Sequence, residues 1–370
     1  MSVSSNGAFK FVTAAAMVSS SPRPTKRAPD KWDSAAFFDS FLASSFFCSQ
    51  AFSQPAPAPV TQTVGLQAQS ECELMSEYPS NFKTLEGEAR YVAAYETMLK
   101  LYAIPYEFLE APTQWGRAHL VTCGPKDGPP LVLLHGMHLS ATMWFSNIAA
   151  LSRKYRIYAM DTLGGVGRSV VVQPLKSKSD LAGWLTETLD GLGITQTHLL
   201  GHSYGGWLAL NFALKAPERI KRLILLAPLG LQPLASQFWL RGIPAMLFPG
   251  RSFITGFMKW MTVEGFAVNE LFVEQFVQGL KNFDPRYQIR VLPTVFSDDE
   301  LQQIKAHTML LIGEKEVSYD PETAARRAQR LIPNIKAELI PNASHGLPME
   351  QAELVNERIL DFLNQEQDVM

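Results

Sequence analysis

Residues 199–210, LLGHSYGGWLAL, place a single serine between two glycines at the boundary between two apolar segments. The first segment has the continuous apolar character of a buried strand, and the second continues into a helical pattern. Glycine costs backbone entropy in either element, so Gly201 and Gly205 need a geometric reason. A strand-to-helix turn that strains its central residue supplies that reason, because side chains at the flanking positions would clash. The pattern therefore predicts that Ser203 lies at this turn, with its Oγ atom lifted above the carboxyl edge of the sheet.

Strand and helix patterns alternate on both sides of this turn, which favours an α/β fold with a mostly parallel sheet of the eight-stranded type, flanked by helices. The predicted strands lie at 104–112, 116–125, 131–135, 155–161, 197–202, 222–228, 307–313 and 337–341. The alternation stops at Pro228, and the segment that follows is rich in aromatic residues with helical spacing. We therefore expect a core formed by residues 76–228 and 301–370, with a helical cap inserted at 229–300.

The first 75 residues differ in composition from the rest of the chain. Residues 53–70, SQPAPAPVTQTVGLQAQS, carry no charge and are rich in Pro, Ala, Gln and Ser, which is typical of a linker. Residues 1–29 contain basic residues and serines but no acidic residue, as organellar targeting segments do. An unstructured extension explains the same composition. We expect a cytoplasmic location, with an organellar or exported one as the alternative if this segment is a targeting signal.

The charge and cysteine content of the chain argue against several functional classes. The formal net charge is −2, and no dense basic stretch indicates binding to nucleic acid. No apolar run reaches the roughly 18 residues that predict a membrane-spanning helix. Cys48, Cys72 and Cys123 have no spacing typical of a zinc site, so we expect free thiols in a reducing compartment. We expect a small molecule as partner, with no metal and no cofactor, and the oligomeric state stays open.

A serine hydroxyl group becomes a good nucleophile only when a base removes its proton, so the chain must supply a histidine. Seven histidines are present, and those at 119, 198 and 307 lie in or at the start of predicted strands. His202 is adjacent to Ser203, and neighbouring side chains at a tight turn point apart. His345 lies in the loop PNASHG between the last predicted strand and the last helix, where loops carry function. His345 is therefore the expected general base.

The third expected group is a carboxylate that orients the histidine ring and stabilises its cation. It should follow the strand after the cap segment, between the serine and the histidine in the chain. The loop EKEVSYD offers Glu314, Glu316 and Asp320. We favour Glu316 because it lies at the tip of this loop, and we keep the other two as alternatives.

The charge that develops on a carbonyl oxygen during acyl transfer requires two N–H donors. Tyr204 follows the serine and begins a helix, so its N–H group is free and lies at the positive end of the helix dipole. The second donor should come from the loop after LVLLH, where His135-Gly136-Met137 leaves the sheet. Met137 N–H is the expected donor, and a simple strand-ending turn is the alternative interpretation.

Taken together, these motifs resemble those of the α/β-hydrolase superfamily, in particular its capped, carboxylesterase-like serine hydrolases. The matching segments in chain order are LVLLHGMH, DTLGGVGRS, LLGHSYGGWLAL, LLIGEKEV and NASHG. The resemblance covers about residues 100–366. It implies the α/β-hydrolase fold, with Ser203 as nucleophile, His345 as base, Glu316 as acid, and Met137 and Tyr204 as oxyanion-hole donors.

Three features depart from the common pattern of this superfamily. Glu316 stands where many relatives have Asp, and DTLGGVGRS is one residue longer than the common loop, as in bacterial carboxylesterase-like members. A serine nucleophile and HGMH in place of HGxP argue against epoxide hydrolases and haloalkane dehalogenases. The resemblance implies a metal-free serine hydrolase that cleaves an ester or related acyl bond through an acyl-enzyme. The aromatic composition of the cap segment favours a hydrophobic small molecule as the substrate. A C–C bond hydrolase, a lactonase, an acyltransferase and a hydrolase-fold small-ligand receptor are the alternatives.

Overall fold

The computed structural model describes residues 80–365, and the predictions for the N-terminal segment and for Cys48 and Cys72 lie outside them. The strands are β1 (Glu107–Thr113), β2 (Gly116–Cys123), β3 (Pro130–Leu134), β4 (Arg156–Asp161), β5 (Val170–Val171), β6 (Thr197–His202), β7 (Ile220–Leu226), β8 (His307–Gly313) and β9 (Ile335–Ile340). The α-helices are α1 (Leu85–Leu99), α2 (Ile148–Leu151), α3 (Lys178–Gly191), α4 (Tyr204–Lys215), α5 (Ser236–Leu247), α6 (Arg251–Met261), α7 (Glu270–Asn282), α8 (Asp298–Gln302), α9 (Pro321–Leu331), α10 (Leu347–Glu350) and α11 (Ala352–Asn364).

All of these strands belong to one sheet. Its main path runs β1-β2-β4-β3-β6-β7-β8-β9, and the short strand β5 pairs with β2. The pairs that involve β2 are antiparallel, whereas every pair from β4 to β9 along the path is parallel. The prediction of a mostly parallel sheet flanked by helices is therefore confirmed. Strand β5 was not predicted, because two valines are too short a run to show a periodic pattern.

The central strands are apolar on both faces because helices cover both faces of the sheet. In β3, Val132 and Leu134 pack into one hydrophobic cluster with residues of α3, α4 and α9. Leu131 and Leu133 point the other way, into a second cluster with residues of α1 and α11. This alternation follows the two-residue period of a strand. The resulting rigid sheet places the carboxyl ends of β3, β6 and β8 at one edge.

The helix predicted near residue 83 begins at Leu85, where Thr84 accepts a hydrogen bond from Gly87 N–H and caps the helix. Tyr91 and Tyr95 on its apolar face are fully buried, and the Tyr95 ring contacts His119 of β2. Helix α1 also packs on α7, so it joins the core to the segment inserted between β7 and β8.

Residues 229–300 contain α5, α6, α7 and the start of α8, with no named strand, which agrees with the helical pattern in the sequence. Aromatic rings of Phe238, Phe257 and Trp260 contact one another within this segment. Its division from the core as a cap stays a prediction. Within residues 80–365, no helix has the length and apolar character needed to cross a bilayer.

Cys123 is buried and free, as expected of a thiol without a partner. Burial raises the pKa of its thiol group to about 12. The thiol is therefore protonated at neutral pH and is a poor nucleophile.

Candidate active site

Ser203 occupies the turn between β6 and α4 in a strained backbone conformation. Its φ of 54° and ψ of −115° lie in a region that residues with a side chain rarely adopt. Three hydrogen bonds hold this conformation: Ser203 N–H donates to Leu226 O at 3.0 Å, and Ser203 O accepts from Trp207 and Leu229 N–H, each at 3.1 Å. The strand β7, the helix α4 and the following loop therefore fix the position of the serine.

The two glycines around Ser203 are required by close backbone packing. A Cβ atom at Gly201 would lie 2.2 Å from Gly205 O. A Cβ atom at Gly205 would lie 2.1 Å from Leu134 O, at the end of β3. Both distances are far below any van der Waals contact, so the glycine spacing follows from the tightness of the turn.

The side chains of Ser203, His345 and Glu316 form a continuous line of hydrogen bonds. His345 Nε2 lies 2.8 Å from Ser203 Oγ. His345 Nδ1 lies 2.9 Å from Glu316 Oε2 and 3.1 Å from Oε1. The three residues are only 5–7% exposed, so solvent does not compete strongly for these contacts. The structure thus brings together three residues that are up to 142 positions apart in the chain.

Glu316 is held by the backbone of its own loop. Its Oε1 atom accepts hydrogen bonds from Val317 N–H at 2.9 Å and Ser318 N–H at 2.7 Å. The alternative carboxylates are placed differently: Glu314 is exposed, and Asp320 caps α9 by accepting from Thr323 N–H. Of the three candidates, Glu316 is the one whose carboxylate lies within hydrogen-bond distance of His345.

Two polar residues of this site were not identified from the sequence. Ser318 Oγ lies 3.2 Å from His345 Nδ1, beside the Glu316 carboxylate. His202 Nε2 lies 2.8 Å from His345 O, and burial lowers the pKa of His202 to about 3. A neutral His202 that donates to this carbonyl group holds the backbone of the His345 loop. No local pattern marks either role, because each depends on a contact across the fold.

The loop after β3 passes directly beside the serine. A Cβ atom at Gly136 would lie 3.5 Å from Ser203 Cβ. His135 Nε2 accepts a hydrogen bond from Thr162 N–H at 2.9 Å, so the ring hydrogen is on Nδ1, which lies 2.7 Å from Gly136 O. Burial lowers the pKa of His135, which favours this neutral form. The His135 ring therefore fixes the orientation of the Gly136 carbonyl group.

The two expected oxyanion donors have free N–H groups. In a trans peptide, a carbonyl group and the following N–H group point in opposite directions, so Met137 N–H points away from the His135 ring. Tyr204 is the first residue of α4, whose first N–H groups have no partner within the helix. Among residues 80–365, neither Met137 N–H nor Tyr204 N–H donates a hydrogen bond. Both groups are available to a bound oxygen atom.

The DTLGGVGRS segment stabilises the loop that follows Met137. Asp161 Oδ1 accepts a hydrogen bond from Ala141 N–H at 2.7 Å, and Oδ2 accepts from Arg168 N–H at 2.8 Å. The Ser169 hydroxyl group donates to Asp161 O at 2.6 Å. One buried carboxylate thus joins two loops at the carboxyl edge of the sheet.

Gln275 of α7 connects the inserted segment to the same loop. Its Oε1 atom accepts from the Thr142 hydroxyl group at 2.6 Å, and its Nε2 donates to Ser140 Oγ at 2.9 Å. Gln275 is only 5% exposed and lies among apolar side chains, where such hydrogen bonds are costly to break. The position of α7 therefore influences the loop that carries Met137.

Under the acyl-transfer chemistry expected from the sequence, Gln275→Leu should lower kcat about tenfold, because a shift of the expected donor Met137 N–H costs transition-state stabilisation. The matched control is Gln278→Leu on the same helix, since among residues 80–365 the Gln278 side chain bonds only to the side chains of Glu274 and Asn282, and it lies partly exposed. Steady-state kinetics and thermal unfolding of both variants test this. Equal kcat values for the two variants would show that Gln275 has no positioning role.

Glu350 forms a second connection, to the loop of His345. Its carboxylate accepts hydrogen bonds from Ser344 N–H, at 2.7 Å, and from Val263 N–H, just after α6. Burial raises the pKa of Glu350, although the two N–H donors oppose this effect. A single side chain thus links the end of α6 to the residue before His345.

Buried histidines should make the stability of the fold depend on pH. Burial lowers the pKa of His138 and His198 to about 4, and that of His202 to about 3. An unfolded histidine titrates near 6.5, so the unfolded chain binds more protons below that pH. Stability is therefore lost as the pH falls through the window from 6.5 to about 4. Each buried histidine costs about 2 kcal/mol between pH 6.5 and 5.

Urea unfolding at pH 7 and pH 5 measures this loss. His198 lies at the start of β6, at the other end of that strand from Ser203. We expect His198→Gln to reduce the difference in unfolding free energy between the two pH values. His307→Gln is the matched control because His307 is exposed at the start of β8. An unfolding free energy that is the same at both pH values would contradict the prediction.

Within residues 80–365, no three His, Cys, Asp or Glu side chains are grouped as metal ligands. The expectation that the reaction needs neither a metal nor a cofactor stays a prediction.

Known proteins are similar to this chain in sequence and in fold. A family model for the alpha/beta hydrolase fold matches residues 129–352. The chain is 37% identical over 298 residues to uncharacterized carboxylesterase nap of Bacillus subtilis, covering 79% of this chain and 98% of that protein. It is 35% identical over 290 residues to carboxylesterase YbfK of the same species, covering 76% and 96%. The crystal structure of carboxylesterase CesB (YbfK) matches with a TM-score of 0.73 and 34% identity, covering 76% of this chain and 99% of that one.

Proposed function

The chain belongs to the α/β-hydrolase family and is a hydrolase of carboxylic esters, and on this premise we propose that Ser203, His345 and Glu316 carry out the cleavage through an acyl-enzyme. The observation that carries the proposal is the line of hydrogen bonds from the Glu316 carboxylate through the His345 ring to Ser203 Oγ. The nucleophile lies within hydrogen-bond distance of its base, and the base lies within hydrogen-bond distance of the group that orients it.

In the first half-reaction, His345 Nε2 accepts the proton of Ser203 as Oγ attacks the carbonyl carbon of the ester. Glu316 keeps the hydrogen atom on Nδ1 and stabilises the imidazolium ion. The carbonyl oxygen becomes negative and accepts hydrogen bonds from Met137 and Tyr204 N–H. His345 then donates its proton to the alcohol oxygen, the C–O bond breaks, and the acyl group remains on Ser203.

In the second half-reaction, a water molecule replaces the alcohol. His345 accepts a proton from the water as its oxygen atom attacks the acyl carbon, and the same two N–H groups stabilise the second oxyanion. His345 returns the proton to Ser203 Oγ as the carboxylic acid leaves. The enzyme is regenerated with no net change in its protonation state.

The proposed substrate is a small hydrophobic ester. A small cleft beside the loop of Met137 is lined by the apolar side chains of Leu139, Val166, Phe272 and Phe276, together with Tyr91, His138, Ser140 and Gln275. Apolar walls with few polar groups are typical of sites that bind hydrophobic small molecules. The cleft lies between the loop of Met137 and α7.

Two measurements on the full chain test the proposal. A fluorophosphonate probe should label Ser203 in the parent protein and should fail to label a His345→Ala variant. The value of kcat/KM should rise from p-nitrophenyl acetate to butyrate by about fourfold for each CH₂ group buried. Absence of labelling in the folded parent protein would refute the mechanism, whereas labelling with a flat or falling series would refute only the hydrophobic substrate.

A further inference from the structure

Large apolar side chains are concentrated on the outer surface of α5, α6 and the turn between them. Leu240, Met246, Leu247, Phe248 and Phe253 are between 43% and 74% exposed. These five residues, which we call the apolar patch, lie within fourteen consecutive positions. Six other large apolar side chains among the described residues are exposed, and they are spread between positions 85 and 295. A cluster of this kind marks a surface that binds a partner or a membrane.

The members of the apolar patch are neighbours in space. Leu240 and Leu247 are seven residues apart on α5, which places them on the same side of the helix. The rings of Phe248 and Phe253 have centroids 6.1 Å apart across the turn to α6. The patch therefore runs continuously from the middle of α5 to the first turn of α6.

Every charged residue of α5, of α6 and of the turn between them is basic. Residues 236–261 contain Arg241, Arg251 and Lys259 and no acidic residue. Arg251 is paired with Glu270 and Glu274 of α7. Arg241 lies over the ring of Trp260 at 5.5 Å, and neither Arg241 nor Lys259 forms an ion pair with a described residue. Two unpaired cations thus accompany the exposed apolar side chains.

We propose that α5 and α6 dock on an anionic lipid surface, with the apolar patch inserted at the boundary between headgroups and acyl chains. Helices with exposed Phe and Leu side chains and cationic residues bind such interfaces, where the cations attract anionic headgroups. A second copy of the chain fits less well, because a symmetric contact would place this patch and its two cations against an identical patch of the same charge. The observed charge therefore favours lipid as the occupant.

Helix α6 connects this surface to the loop of His345. The helix has eleven residues and spans about 16 Å. At its far end, the Thr262 Cγ2 atom lies 2.9 Å from where a Cβ atom of Gly346 would be. Because hydrophobic esters accumulate in lipid membranes, docking through the apolar patch would place the protein close to such substrates. The docking does not depend on the proposed function, because binding is measured without turnover.

Flotation of the full chain with lipid vesicles tests the proposal. We expect binding to vesicles of phosphatidylcholine with phosphatidylglycerol, weaker binding to phosphatidylcholine alone, and weakening by salt. The combined change Leu240→Ser, Phe248→Ser and Phe253→Ser should lower partitioning at least about tenfold. The change Arg241→Gln with Lys259→Gln should lower it about fivefold for each cation removed.

The matched control replaces two exposed apolar residues outside the segment, Leu85→Ser with Val172→Ser, and should leave vesicle binding unchanged. Flotation of the apolar variant equal to that of this control would overturn the proposal. A parent protein that does not float with the vesicles would also overturn it. So would a patch variant that loses dimerisation of the chain and keeps its vesicle binding. Hydrolysis of p-nitrophenyl acetate, a monomeric ester, should persist in every variant, so a failure of the proposed chemistry is recognised separately.

Discussion

Replacing Ser203 with alanine is expected to lower kcat/KM for ester hydrolysis by about 10⁴-fold or more. The Oγ atom, 2.8 Å from His345 Nε2, is the only atom of this residue that can form the acyl-enzyme. Alanine faces the same backbone strain as serine at a φ of 54°, so the fold should tolerate the change. Steady-state kinetics with a short-chain p-nitrophenyl ester, together with the thermal unfolding midpoint, measure both effects.

The matched control for this variant is Ser318→Ala. Ser318 is a buried serine of the same site, with Oγ 3.2 Å from His345 Nδ1, and it is not the nucleophile in the proposed mechanism. We expect its removal to reduce kcat/KM by less than about tenfold, the effect of one neutral hydrogen bond. A Ser203→Ala variant that keeps a few per cent of the parent activity would contradict the assignment.

Non-additivity provides a further test of the same assignment. If Ser203 and His345 act as one unit, the double variant Ser203→Ala/His345→Ala should be no less active than Ser203→Ala alone. If the loss of activity in the double variant equals the product of the losses in the two single variants, the two residues contribute independently. That result would conflict with the proton transfer between them.

The sheet and the line of three side chains follow from local patterns in the sequence. Each buried strand is a short apolar run, and parallel strands align their carboxyl ends, so Ser203 after β6, Glu316 after β8 and His345 after β9 converge at one edge. The glycines at 201 and 205 mark a turn whose tightness is a local backbone property. Predictions of this kind need no knowledge of how distant side chains pack.

The residues that sequence reasoning missed are defined by contacts between distant segments. Gln275 and Thr142 are 133 positions apart, and His202 and His345 are 143 positions apart. A glutamine on an amphipathic helix is most often a solvent-facing residue, and no spacing rule distinguishes the buried one. The positions of such residues depend on how the inserted segment packs on the sheet, which is decided by tertiary packing rather than by periodicity.

Changing Glu316 to glutamine is expected to lower kcat/KM by about 10³- to 10⁴-fold. In the proposed mechanism the Glu316 carboxylate, 2.9 Å from His345 Nδ1, holds the hydrogen atom on that nitrogen and stabilises the imidazolium ion. A glutamine amide can offer its own N–H to Nδ1, which favours the wrong tautomer and leaves no base facing Ser203. Glu316→Asp keeps the charge on a shorter side chain, so it should retain more activity than the glutamine variant.

The other two carboxylates of the loop provide the controls. Glu314→Gln changes an exposed side chain, and Asp320→Asn keeps an oxygen that can cap α9 at Thr323 N–H, so each should change kcat/KM less than about twofold. A larger loss of kcat/KM in either control variant than in Glu316→Gln would mean that the control residue, and not Glu316, is the acid that orients His345. Because Glu316 is held by Val317 and Ser318 N–H while its competitors are exposed, only a rearranged loop would produce that result. The three variants therefore test the geometry of the loop together with the chemistry of the acid.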